Sequence, residues 1–272
     1  MQELLDHPAV QAVLAPFAFA FVVAWMLRTV RLSGLSVVAG FCVAMALIAG
    51  FEFAPLTTTR KIFLVVMVSP LAGIMIDLVV KSGASAAAVA ALALGAVTPW
   101  VFLAVLRQQE GAAPWLLAAG LGLFSAWLAG GMVALRGDPA RIGASALALG
   151  LGTGIAAVLG ASASFGQYGI ALAVSGAAFL LVVMMSGSKT TAGSVLALPA
   201  AAIGALFAGG TLLLASLPWM ALPALALVPL AVRLPVPAAG PSWMNIAFPV
   251  VYAAMPAGLA CAIAWQATRA GA

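Results

Sequence analysis

Apolar residues in this chain come in long unbroken runs instead of alternating with polar ones. Ten runs can be drawn, at roughly 9–27, 34–55, 62–80, 84–106, 112–135, 142–161, 168–187, 192–216, 218–234 and 245–267. The breaks between them are short and hold charges, Gly, Pro or Trp. Most runs are about 18–25 residues long, close to the ~20 apolar residues a helix needs to cross a hydrocarbon core. None shows the period-2 alternation of a half-buried strand. In hydrocarbon a helix satisfies its own backbone amides, which an open strand cannot do. The pattern predicts an all-α, polytopic transmembrane helical bundle of about ten spans, forming a single integral membrane domain over 1–272. The weakest boundary is Leu217–Pro218–Trp219, between the eighth and ninth runs. The ninth is short and carries Pro223 and Pro229, so a re-entrant or kinked segment, with eight or nine full spans, is the alternative there.

Composition strengthens this reading: 65% of residues are hydrophobic, 6% are charged and the mean hydropathy is +1.23. A soluble domain carries roughly a quarter charged residues. The polar breaks are too short to house a domain outside the bilayer. The formal net charge of +5 comes from basic residues placed singly or in pairs between apolar runs. That arrangement suits topology signals and lipid headgroups, so membrane lipids are expected partners and nucleic acid is not. With the N-terminus outside, Arg28, Arg31, Lys81, Arg136, Arg141, Lys189 and Arg233 fall inside, and Arg60, Lys61, Arg107 and Arg269 fall outside. The majority on the inside predicts a bacterial cytoplasmic (inner) membrane protein with its N-terminus outside. Most tryptophans fall near predicted helix ends, and Trp127 is the exception, deep in its run.

The runs also divide evenly, five over 9–135 and five over 142–267. Because five is odd, two such halves would sit inverted relative to one another, an arrangement common in secondary transporters. Sequence identity between the halves is not apparent.

Several chemistries find no residues to carry them. There is no Walker-type loop with its Lys. His7 is the sole histidine and precedes the first run, while Cys42 and Cys261 both lie inside apolar runs. No catalytic triad, metal site or cofactor is expected from such a set.

What remains is a few polar positions inside the runs. Ser69, Gly73, Asp77 and Lys81 recur every four residues and so share one helix face. A carboxylate at the bilayer centre costs roughly 2.5–3.5 kcal/mol on insertion scales, so Asp77 is expected either to face the bundle interior as a coupling group or to lie near the inner end and pair with Lys81. Pro70 deprives the Val66 carbonyl of its helical donor, leaving it open to a solute or ion. Pro199 sits at nearly the same offset in the eighth run as Pro70 in the third. An outer charged cluster is expected from Glu52, Arg60 and Lys61, either a hairpin ion pair or a vestibule for an anionic group. Asn245, Pro249, Tyr252 and Pro256 form a third stripe, which could line a cavity or hydrogen-bond neighbouring helices. Ser162, Ser164, Gln167 and Tyr168 fall at an expected outer turn. Gly150 and Gly154 offer a close-packing face.

These features point first to a small secondary carrier for an unidentified small molecule or ion, with its site near midplane between the third and eighth helices. The alternatives are a non-catalytic subunit or scaffold of a membrane complex, as a homo- or hetero-oligomer, and a lipid-handling, flippase-like protein.

Overall fold

A computed structural model describes residues 7–30, 32–51, 53–109, 111, 113–186, 190–237 and 243–270. Among these, every run becomes helical and no strand forms. The helices are α1 (Val10–Leu27), α2 (Leu35–Ile48), α3 (Thr58–Val79), α4 (Gly83–Leu106), α5 (Ala113–Val133), α6 (Pro139–Leu159), α7 (Ala163–Ser186), α8 (Gly193–Leu214), α9 (Ala221–Ala231) and α10 (Met244–Ala270). Eight are long and apolar enough to cross a membrane; α2 and α9 are shorter. The protein is a polytopic helical membrane protein.

Caps set several of the helix starts. The Thr57 hydroxyl accepts from the Arg60 amide to open α3, and Ser82 does the same for α4 through Ser85. Asp138 accepts from the amides of Ala140 and Arg141, with Pro139 in the first turn of α6, where its missing N–H is no loss. The helix α8 is different: the residue before it is Ala192, which has no side chain to offer.

The ninth run is broken, as its prolines suggest. Two short helical pieces, Ala221–Ala226 and Val228–Ala231, meet at Leu227. The amide of Leu230 turns to the Leu227 carbonyl, so the Ala226 carbonyl loses its helical donor. The Trp127 indole N–H donates to that carbonyl at 2.8 Å. This explains the one tryptophan that sits far from a helix end.

Packing is organised around α8, 94% of whose span is buried, against 22% for α1 and 28% for α10. Lipid supplies no hydrophobic drive between helices, so close approach of small residues decides which helix goes inside. The helix α8 supplies Ala200, Ala201, Ala202, Gly204, Ala205, Ala208, Gly209 and Gly210, and it carries no charge. Around it pack α3, α5, α6, α7 and α2, while α10 lies against α6 and α9.

Glycine decides the α6–α7 contact. A Cβ on Gly150 would collide with the Ala173 backbone nitrogen, and one on Gly154 would fall 2.9 Å from the Ile170 nitrogen. The closely spaced glycines of α6 are therefore used within the chain, and their spacing is no guide to an oligomer interface.

In the half of α8 away from Gly193, the rings of Phe41, Phe63, Tyr168 and Phe207 form a dry cluster with centroids 5.1–6.4 Å apart. Tyr168, expected at an outer turn, is 2% exposed. The seventh helix starts at Ala163, earlier than the run suggested, and this carries Tyr168 a full turn into the core.

Candidate functional site

The first turn of α8 has amides to satisfy, no side-chain cap of its own, and little access to water. An N-terminus of this kind must be capped by another part of the chain. Asp77, in the last turn of α3, does this: its Oδ2 accepts from the Ser194 amide at 2.7 Å. The Gly193 amide donates to the Arg136 carbonyl at 3.2 Å. A carboxylate at this position also meets the positive end of the helix dipole.

Arg136, in the connection between α5 and α6, completes the node. Its Nη1 lies 3.2 Å from Asp77 Oδ1, and its Nη2 donates to the carbonyls of Val80 and Lys81. Arg136 therefore ties the end of α3, through its guanidinium, to the start of α8, through its backbone carbonyl. The Arg136 and Asp77 side chains retain 19% and 30% of their exposure, so the pair is reachable from outside. The connection between α1 and α2 joins from the other side, where the Ser33 hydroxyl donates to the Thr191 carbonyl.

A hollow of about 540 Å³ opens at this end of the bundle, bordered by Asp77, Arg136, Thr191, Ile74 and Val195. Seven buried hydroxyls lack a hydrogen-bond partner among the described residues. Five of them, Ser36, Ser186, Thr190, Thr191 and Ser194, belong to helix ends and connections at this end of the bundle. Buried polar atoms are normally paired, so such a concentration is a functional clue.

Three residues of the expected stripe, Ser69, Gly73 and Asp77, lie on α3 and face α8, whereas Lys81 lies beyond the end of the helix and is exposed. A Cβ on Gly73 would lie 2.6 Å from the Ser194 carbonyl oxygen, and Ser69 borders a hollow together with Leu198. The two helices run antiparallel, which sets the buried Pro70 at the level of Leu198 and the buried Pro199.

Three details differ from the sequence reading. Asp77 lies in the last turn of α3, at the bundle end, where the ion-pair reading places it and away from the midplane site of the carrier reading. Its partner is Arg136, whereas Lys81 contributes its backbone carbonyl to that same arginine. The Val66 carbonyl freed by Pro70 is already taken, since the Ser69 hydroxyl donates to it at 2.7 Å.

The remaining candidates lie apart from this node. Tyr252 donates to the Pro235 carbonyl at 3.2 Å and packs on Phe248, while Asn245 is exposed in the first turn of α10. Helix α10 packs on α6 and α9. At the opposite end, Lys61 donates to the Trp100 carbonyl at 3.3 Å and sits over its ring, and Arg60 donates to the Pro55 carbonyl. Glu52, the expected acid of that cluster, lies outside the described residues, as do Arg31 and Lys189.

Arg136 and Ser194 were missed from sequence. Arg136 looked like one of several topology-setting cations, and Ser194 like one hydroxyl among many. The available signal was Ala192 standing directly before Gly193, at a position where a capping side chain usually stands.

Compared with known proteins, the chain matches no family model and no curated protein.

Proposed function

We propose that this protein is a small secondary carrier, with the Asp77–Arg136–α8 node as the group that opens and closes one end. One observation carries the reading. Two proline-containing helices, α3 and α8, meet at a carboxylate at the bundle end that is at once ion-paired and bound to a helix N-terminus. Both helices run unbroken through their prolines, and the start of α8 faces the Asp77 carboxylate, as half-helix N-termini in secondary transporters face the anionic groups of their solutes.

The chemistry follows from the donors. Asp77 occupies the Ser194 amide and one side of the Arg136 guanidinium. A proton on Asp77 weakens its hold on both, leaving a helix N-terminus and an arginine able to take the carboxylate or phosphate of a small solute. Release of that proton returns Asp77 to its place and expels the solute. A proton and a small anion are thereby bound and released together at one site, with the hydroxyls of Thr191 and Ser194, unpartnered among the described residues, available as further donors. The charge pattern of the sequence favours placing this end on the cytoplasmic side of a bacterial inner membrane.

The test is uptake by proteoliposomes under an imposed pH gradient, using a panel of labelled small carboxylates, phosphates and neutral solutes. The native chain is expected to accumulate at least one anionic solute, and Asp77→Asn to abolish its dependence on the gradient. If no solute moves, or if Asp77→Asn behaves like the native chain, the carrier reading fails. The first result, combined with co-purification of a second protein, would favour a subunit of a membrane complex.

A further inference from the structure

Away from the node, the membrane-facing side of α4, α5 and α9 holds two hollows in line, of about 470 and 570 Å³. Both fall within the ~300–1,000 Å³ span of small-molecule sites. They arise because α9 is short and broken and leaves the flank of α5 uncovered, and because Ala88, Ala91, Gly130 and Ala134 provide no bulk to fill the gap. Trp127 borders both hollows, and its indole is tied to the Ala226 carbonyl.

The two ends of this groove differ. Towards Trp219 its lining is wholly apolar. The other end finishes at Arg233, which is exposed and has no carboxylate within ion-pair distance among the described residues. The backbone carbonyl of Arg233 lies 3.5 Å from Arg141 Nη1, while Arg141 itself is paired with Asp138. Arg233 is thus the cation left available at the mouth.

We infer that this groove is a binding site for one anionic phospholipid, with its phosphate on Arg233 and an acyl chain lying along α5 past Trp127. Charge complementarity selects the headgroup, since basic residues between transmembrane helices are sites for anionic lipid on the cytoplasmic side. Shape selects the chain. A partner helix is about 10–12 Å wide with its side chains and would collide with the fixed Trp127 ring, whereas an acyl chain can bend around it. The site does not depend on the carrier reading.

Native mass spectrometry of the full chain in mild detergent, titrated with phosphatidylglycerol or phosphatidylcholine, tests this. One phosphatidylglycerol is expected to be retained with about tenfold preference, equivalent to about 1.4 kcal/mol. Arg233→Gln should remove the preference, while Arg107→Gln, at the opposite end of the bundle, should keep it. Ala88→Phe fills the groove from an exposed position and should lose both lipids with unchanged Tm. The inference is overturned if Arg233→Gln keeps the preference or if Ala88→Phe retains phosphatidylglycerol. A lipid-free dimer would overturn it in favour of a partner helix.

Discussion

The two ends of α8 are held by different physics. At Gly193 the helix is fixed by a few directional bonds: the Asp77 carboxylate on the Ser194 amide, the Arg136 carbonyl on the Gly193 amide, and the Asp77–Arg136 pair beside them. Around Phe207 it is fixed by rings and small residues, with Phe41, Phe63 and Tyr168 in mutual contact. Packing of the second kind is spread over many weak contacts, and no single proton or ion can release it. Bonds of the first kind are few and charge-dependent, so one protonation or one competing anion can. On the carrier reading, the Gly193 end is the moving end and the aromatic end is the pivot.

Substitutions can break this contrast, and the largest effect is expected at the aromatic end. Phe207→Ala leaves a cavity among rings that cannot collapse into it, and should cost about 3–5 kcal/mol. Its signature is a lowered Tm in detergent that does not respond to salt. Gly73→Ala comes next, at about 2–3 kcal/mol, because its methyl group meets the backbone of Ser194 and has no flexible side chain to displace. That variant should push α3 from α8 and weaken the node as well as the packing.

Smaller effects sharpen the comparison. Asp77→Ala removes a cap from a buried helix start and should lower stability by about 1–2 kcal/mol. Asp77→Asn retains an acceptor for Ser194 and should lose less. A double-mutant cycle of Asp77→Asn with Arg136→Gln should give a coupling of about 0.5–1 kcal/mol that shrinks as salt is added, since both side chains are partly exposed. Trp127→Phe keeps a smaller aromatic ring and loses the bond to Ala226, at about 1 kcal/mol for that bond.

The contrast also shows what was legible in the sequence. All ten helices could be drawn from apolar runs, because the bilayer requires long apolar segments and turns must be polar or small. The break in α9 was visible in Pro223 and Pro229, and the α3–α8 relationship in Pro70 and Pro199. Asp77 stood out because a carboxylate among apolar residues needs a reason. Its partner did not, because Arg136 is 59 residues away and pairs across the fold. Periodicity reports which face a residue occupies, and says nothing of which distant loop will reach it. The same limit hid the role of Trp127, which serves a carbonyl 99 residues along. The Val66 carbonyl was read as open to a solute or ion because the Ser69 hydroxyl that satisfies it was seen only as a stripe member.

The most direct test compares the accessibility of the two ends of α8 in one background. With Cys42 and Cys261 replaced by alanine, single cysteines are introduced at Val195, beneath the node, and at Ala208, beside the rings; both positions are buried. Labelling by a membrane-impermeant maleimide is then measured in proteoliposomes with Arg136 intact and with Arg136→Gln. The account predicts that Val195→Cys labels about tenfold faster once Arg136 is lost, the change expected for about 1.4 kcal/mol, while Ala208→Cys stays unlabelled. Unchanged labelling at Val195→Cys, or equal gains at both positions, would contradict it.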